Sequence, residues 1–172
     1  MKSTSVKILI VDDQPESVEM LVLLLRSNLP EAQLSKALSG FDALDLARRE
    51  MPDLILLDVK MPGMDGYEVV RQLKADPELA RIPVLMVSGA LVSARHRVRG
   101  LNEGAEGYIC KPFEPLEFLA QVRTLLRLKV QGDKLRQHGS TLEADLEAST
   151  GALRESEKKF RLLFHEQPDA LF

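Results

Sequence analysis

A single cysteine, Cys110, is all the thiol chemistry this 172-residue chain carries. One cysteine cannot build an internal disulfide framework, and its isolation fits a reducing cytoplasm. Long apolar runs are lacking as well: none approaches the ~18 residues that a membrane-spanning helix needs. The N-terminal stretch MKSTSVKILIVDD has no apolar segment leading to a small-residue cleavage site, so secretion is not expected. Charge of one sign is also missing. The 23 basic and 26 acidic side chains leave a net charge of -3, which gives no footing for nucleic acid or an anionic membrane. There is no tryptophan. The rest, 45% hydrophobic and 28% charged, is enough for one full domain and a remainder.

What is present is an alternation. Apolar runs of strand length are followed by longer amphipathic segments. VKILIV (Val6–Val11) reads as a buried strand, and PESVEMLVLLLRSNL (Pro15–Leu29) as a helix with proline in its first turn. A short strand is expected within Ala32–Leu38. GFDALDLARRE places Phe41, Leu44, Leu46 and Ala47 on one helical face. LILLD, ending at Asp58, is the third strand, and Gly66–Asp76 the third helix. IPVLMVSG (Ile82–Gly89) is a fully apolar strand, and LVSARHRVRGLNEGA a weaker, basic helix containing Gly100. A strand at Gly107–Ile109 and a helix starting near Pro115 complete the series. Five such units predict an α/β fold, a parallel sheet between helical layers. Right-handed crossovers leave few topologies, and the flavodoxin-like order 2-1-3-4-5 is the natural one for a (βα)5 three-layer sandwich. A site then belongs beyond the carboxyl ends of the strands, where the order reverses.

Those strand ends carry the chemistry. Asp12 and Asp13 end the first strand, and Asp58 ends the third, so three carboxylates converge on one edge of the sheet. Mutual repulsion is tolerable if a hard divalent cation sits among them, and Mg2+ suits a small oxygen-lined site that also takes phosphate oxygens. The plainer alternative is that each aspartate caps the next helix. Ser88 ends the fourth strand and Lys111 follows the fifth. Carboxylates to hold a metal, one of them to attack, and a hydroxyl and an ammonium to take up phosphoryl charge outline a phosphoryl-transfer site.

ILIVDDQ, LILLDVKMPGMDGYEVVRQLK, IPVLMVSGA and GAEGYICKPFEPLEF, in that order, resemble the CheY-like receiver domain of two-component response regulators. The resemblance covers residues 1–128. It implies that Asp58 is the phosphoacceptor, that Asp13 ligates Mg2+ directly and Asp12 through water, and that the backbone carbonyl of Lys60 completes the protein's share of the metal shell. It further implies that Ser88 is the switch hydroxyl, that Lys111 pairs with the phosphoryl group and is aimed inward by a cis Lys111–Pro112 bond, and that Tyr108 is the aromatic switch. Lys60 and Ala90 match the positions that tune hydrolysis of the acyl phosphate. The implied donor is a histidine kinase or phosphotransfer protein, and the implied response lies in the face built from the fourth helix, fifth strand and fifth helix. Such a protein is a signalling module, not an enzyme beyond its own phosphotransfer and dephosphorylation. With the strand LILL in the core, Asp58 is expected to stand just outside it, exposed to a donor, while Pro62, Gly63 and Gly66 turn the chain aside.

Beyond the receiver-like part the pattern changes. With Leu125 at heptad position a, Leu128, Leu135 and Leu142 fall at d, Leu146, Leu153 and Phe160 at a, and Leu163 at d. The seam is interrupted by Gly132, Gly139, Ser149 and Ser156. Residues 129–160 read as a helical linker pairing with its copy as a parallel coiled coil, the alternative being an amphipathic helix folded back on the domain. SEKKFRLLFHEQPDALF resembles the opening of a Per-Arnt-Sim (PAS) sensory domain, which assigns residues 161–172 to the start of a second domain and places the output part beyond Phe172. Two other readings compete. A haloacid-dehalogenase-type phosphatase would also use a strand-end aspartate and Mg2+, but its second acid falls where this chain has Lys60. A receiver-like module that only binds protein would have no need of Asp12, Asp13, Asp58, Ser88 and Lys111 together. Cys110 reads as a small half-buried residue, and His96, His138 and His165 as surface residues. Arg95, Arg97 and Arg99 read as a solvated basic face.

Overall fold

The computed structural model describes residues 5–89 and 94–165, with the side chains of Ala94 and of residues 160–165 left aside. The chain divides into two units, Met1–Val130 and Gln131–Phe172.

The first unit alternates strand and helix five times: β1 (Lys7–Val11), α1 (Pro15–Asn28), β2 (Gln33–Ala37), α2 (Gly40–Glu50), β3 (Leu54–Asp58), α3 (Gly66–Ala75), β4 (Val84–Ser88), α4 (Ala94–Asn102), β5 (Gly107–Cys110), and α5 from Pro115. The sheet is wholly parallel with the order β2-β1-β3-β4-β5, the flavodoxin-like arrangement. Each central strand is buried on both faces, which is why its sequence is continuously apolar rather than alternating. Ile8, Ile10, Leu54, Leu56, Leu85 and Val87 pack with α1 and α5. Leu9, Val11, Ile55, Leu57, Val84 and Met86 pack with α2 and α3.

The helices start and stop where their chemistry allows. Pro15 opens α1, and its buried Val18, Leu21, Val22 and Leu25 repeat at three- and four-residue spacing. Ser39 caps α2 by accepting the Asp42 N–H at 3.1 Å, and Asp65 caps α3 by accepting that of Glu68 at 2.8 Å.

The strands are shorter than the apolar runs suggest, because Val6, Ile82, Pro83 and Gly89 lie outside the ladder. Phe41 departs from expectation: it is 59% exposed, and Gly40, Ala43, Leu44 and Ala47 form the buried face of α2 instead. The basic helix is described from Ala94 on, so its expected opening at residues 91–93 and the Ala90 position lie outside the described residues.

The second unit is helical through His165, as the continuation of α5 (Pro115–His165). Leu135, Leu142, Leu146 and Leu153 are all more than 60% exposed within it. Of the PAS-like stretch, residues 166–172 lie outside the described residues. No described helix is long and apolar enough to cross a membrane.

Candidate functional site

Strand register builds the site. The last paired residues of β1 and β3 are Val11 and Leu57, so the next positions, Asp12 and Asp58, emerge side by side. Asp58 pairs with Val87, which puts Ser88 one step farther along β4, and Ser88 pairs with Cys110, which puts Lys111 one step beyond β5. Four neighbouring strands thus deliver Asp12, Asp58, Ser88 and Lys111 to a single edge.

Carboxylate oxygens of Asp12, Asp13 and Asp58 lie within 4.8 Å of one another. Lys111 Nζ stands 2.7 Å from Asp12 Oδ2 and 3.6 Å from Asp58 Oδ1. Two backbone amides orient the acids: the Gln14 N–H donates to Asp12 Oδ1 at 2.9 Å, and the Lys60 N–H to Asp58 Oδ2 at 2.8 Å. Neither acid is freely exposed. Asp12 is buried, and the side chain of Asp58 is only 11% accessible, which corrects the expectation of a carboxylate standing clear of the core. Burial, and next the neighbouring charge of Asp12, push Asp58 above the ordinary carboxylate value. Lys111 and the Lys60 amide pull the other way without cancelling that shift.

The surrounding residues take the following places. Ser88 is buried, with its hydroxyl 3.5 Å from the Gly89 carbonyl. The Lys111 N–H donates to the Ser88 carbonyl at 2.6 Å, and Lys111–Pro112 is cis. Lys60 is exposed, and Tyr108 is half-buried with its hydroxyl enclosed. The β3–α3 loop is folded back by two glycines. Gly63 has φ +78°, and a Cβ on Gly66 would fall 2.3 Å from the Asp58 carbonyl oxygen. Beside the acids a groove of about 480 Å³ is lined by Asp13, Lys60, Asp65, Tyr67, His96 and Arg99. A smaller hollow of about 300 Å³, along Gly107, Glu117 and Gln121, lies at the start of β5 and holds none of these groups. Cys110 is half-buried, and His96 and His138 are exposed.

Residues 8–123 match the model of the response regulator receiver domain. This chain belongs to that family. The response regulator PleD of Caulobacter vibrioides is 44% identical over 133 residues, covering 77% of this chain and 29% of PleD. The DNA-binding response regulator MtrA of Mycolicibacterium smegmatis is 40% identical over 121 residues, covering 70% of this chain and 50% of MtrA. The chain therefore spans half or less of these two relatives. Among solved structures, the signal receiver domain of a DNA-binding response regulator from Colwellia psychrerythraea superposes with a TM-score of 0.67. It is 32% identical and covers 72% of this chain and 99% of that one. Receivers of this family are signalling modules of two-component phosphorelays, served by histidine kinases or phosphotransfer proteins, and bind Mg2+ at an acidic cluster of the kind seen here.

Sequence reasoning missed three participants: the Gln14 amide, the preference of Lys111 for Asp12, and Tyr67 in the wall of the groove. Only Tyr67 left a signal, as an aromatic ring with a polar tip in the first turn of a core-facing helix.

Proposed function

We propose that this receiver accepts a phosphoryl group on Asp58 and passes the change to α4, β5 and α5. The observation that carries the reading is the placement of Lys111 Nζ, 2.7 Å from Asp12 and 3.6 Å from Asp58, at the edge where three carboxylates meet. In this reading an Asp58 oxygen attacks the phosphorus of a donor phosphohistidine or small acyl phosphate. The bond to the donor nitrogen or oxygen breaks, and its electron pair leaves with the donor. The Lys60 amide holds the other Asp58 oxygen still. Lys111 and the Ser88 hydroxyl take up charge on the phosphoryl oxygens.

The all-oxygen donor set fits Mg2+, held by Asp12, Asp13, Asp58 and the Lys60 carbonyl. When bound, the ion would offset the charge that three carboxylates and a phosphoryl group bring together.

Added phosphate charge then biases Ser88, Tyr108 and the α4-β5-α5 face. We assign residues 1–128 to the receiver, 129–160 to a linker that pairs in parallel with a second copy, and 161–172 to the start of a PAS-like domain of a longer cytoplasmic protein. The exposed leucines of α5 support the pairing, since a row of large apolar side chains on one helix gains by burial against its copy.

Acetyl phosphate with Mg2+ should add one phosphoryl group to the intact chain, and Asp58→Asn should abolish that mass gain. No gain in the parent chain would reduce it to a protein-binding module. Light scattering of the same samples tests the pairing: a monomer with and without beryllofluoride would sink the coiled coil and leave the phosphoacceptor reading in place.

A further inference from the structure

Helix α4 has almost no apolar anchor. From Arg95 to Arg99 five consecutive residues are exposed, and of residues 95–102 only Gly100, which has no side chain, is buried. A helix without a buried stripe depends on other contacts for its position. Here Gly100 packs against β4 and β5, and the side-chain links come from α3.

Tyr67, in the first turn of α3, is 3% exposed. Its hydroxyl donates to the main-chain carbonyl of His96 at 3.2 Å. Arg99, nearly one turn along α4, sets its guanidinium carbon 4.2 Å from the Tyr67 ring centroid. Arg71, one turn along α3, reaches Glu103 just past the end of α4 with two N–H groups, each at 3.2 Å. Positions 67 and 71 of α3 therefore meet 96 and 99 of α4 and 103 just past its end, the spacing at which two helical faces can touch repeatedly. Of these links the Arg71 pair is exposed and exchangeable with water. The Tyr67 contacts are the sheltered ones.

The same residue borders the aromatic switch. A Cβ on Gly100 would fall 2.7 Å from Met86 Sδ and 3.2 Å from Tyr108 Cδ2, so α4 sits directly against Tyr108. The Tyr108 hydroxyl is buried and has no hydrogen-bond partner among the described residues. It lies near the Tyr67 hydroxyl, whose ionisation is pushed up to about 12 by burial first and by Tyr108 next. A buried hydroxyl without a partner is costly, and the cost is relieved by small movements of its neighbours.

We propose that Tyr67 is a positioning residue: it clasps α4 to α3 through the His96 carbonyl and the Arg99 guanidinium, and it ties the seat of Tyr108 to the same point. The position of α4 is then set in part from α3, outside the α4-β5-α5 face, and a shift of α4 away from α3 would break the Tyr67 contacts. As a control point for phosphorylation this rests on the phosphoacceptor reading above.

Hydrogen exchange on the full chain tests it, with Mg2+ and with or without beryllofluoride. Tyr67→Phe keeps the ring and the core volume while removing the hydroxyl, and Arg99→Gln removes the cation. In each variant, peptides covering residues 95–103 should exchange roughly fivefold faster, the effect of one lost hydrogen bond or cation–π contact. Peptides from β1 and β3 should be unchanged. Unaltered α4 exchange in both variants would overturn the clasp, and equal acceleration in β1 and β3 would make Tyr67 an ordinary core residue and overturn it too. Beryllofluoride should alter α4 exchange in the parent chain and not in Asp58→Asn. Faster α4 exchange in Tyr67→Phe with no beryllofluoride response in the parent supports the clasp and breaks only its link to Asp58.

Discussion

At the amino-terminal end of the sheet, Asp53 stands just before β3 and accepts the Lys7 N–H of β1 at 2.9 Å. Glu106 stands just before β5 and accepts the Val84 N–H of β4 at 2.7 Å. Both carboxylates therefore fasten one strand to its neighbour. Glu106 also receives Lys74 Nζ at 2.7 Å, and the same ammonium satisfies the carbonyls of Ala80 and Ile82. At the carboxyl-terminal end the acids are arranged otherwise. Asp12 and Asp58 each accept an amide from their own loop, Asp13 lies beside them, and among the described residues Lys111 is the one cation within 4 Å of Asp12 and Asp58, so negative charge is left in excess. One end spends its carboxylates on the fold. The other holds them in reserve at a cost in stability, as sites that bind ions and phosphate commonly do.

The sharpest way to break this comparison is to disturb the backbone that holds the reserve in place. In Gly66→Ala the new methyl group would meet the Asp58 carbonyl oxygen at 2.3 Å and the Val59 Cα at 3.0 Å, both main-chain atoms that cannot step aside. We expect a loss of about 3 kcal/mol in urea unfolding, at the upper end of overpacking effects, together with loss of phosphoryl uptake. A loss below about 1 kcal/mol would show the β3–α3 loop to be freer to move than its packing implies.

A matched pair of lysine substitutions sharpens it further. Lys74→Met leaves two carbonyls and Glu106 without their donor, and the Lys74 side chain is only 17% exposed. It should cost about 2 kcal/mol, the same with chelator or with Mg2+. Lys111→Met removes the only cation within 4 Å of Asp12 and Asp58 among the described residues. Its loss should be large in chelator and should shrink when Mg2+ is added, because the cation replaces the missing charge. If the two variants respond alike to Mg2+, the ends of the sheet do not differ as described.

How much of this could be read beforehand follows from where the information lies. LILLD and PVLMVS are buried on both faces, so their apolar continuity, with strand length and flanking turn residues, marks strands, and five β–α units leave few parallel topologies. Once the order is known, Asp12, Asp58, Ser88 and Lys111 fall on one edge as a matter of register. Contacts of side-chain tips carry no such signature. Lys111 lies nearer Asp12 than Asp58, and Tyr67 meets His96 through a main-chain carbonyl, which any residue would supply. Helical periodicity misplaced Phe41 because its position in the first turn of α2 lets it lie outward, toward the Gly63 turn. The heptad leucines stand in a helix as expected, yet periodicity alone cannot name what covers them.

The smallest expected effect is the most direct measure of the stored charge. Burial and Asp12 raise Asp58 above the ordinary carboxylate value expected in the unfolded chain. Between that value and the higher folded one, the native protein holds a proton that the unfolded chain has lost. Stability attributable to Asp58 therefore falls as pH rises through this window, and the full penalty of an ionised buried carboxylate is present above the folded value. Asp58→Asn removes the charge and keeps the shape, leaving Lys111 to Asp12 at 2.7 Å. In chelator at neutral pH the variant should be more stable than the parent by about 1 kcal/mol. The advantage should shrink as pH is lowered through the folded value, because the parent sheds its penalty on protonation. Added Mg2+ should close the same gap from the other side by favouring the ionised parent. An Asn variant less stable than the parent at neutral pH in chelator would mean that Lys111 already compensates Asp58 in full, and the contrast between the two ends of the sheet would then be one of geometry and not of charge.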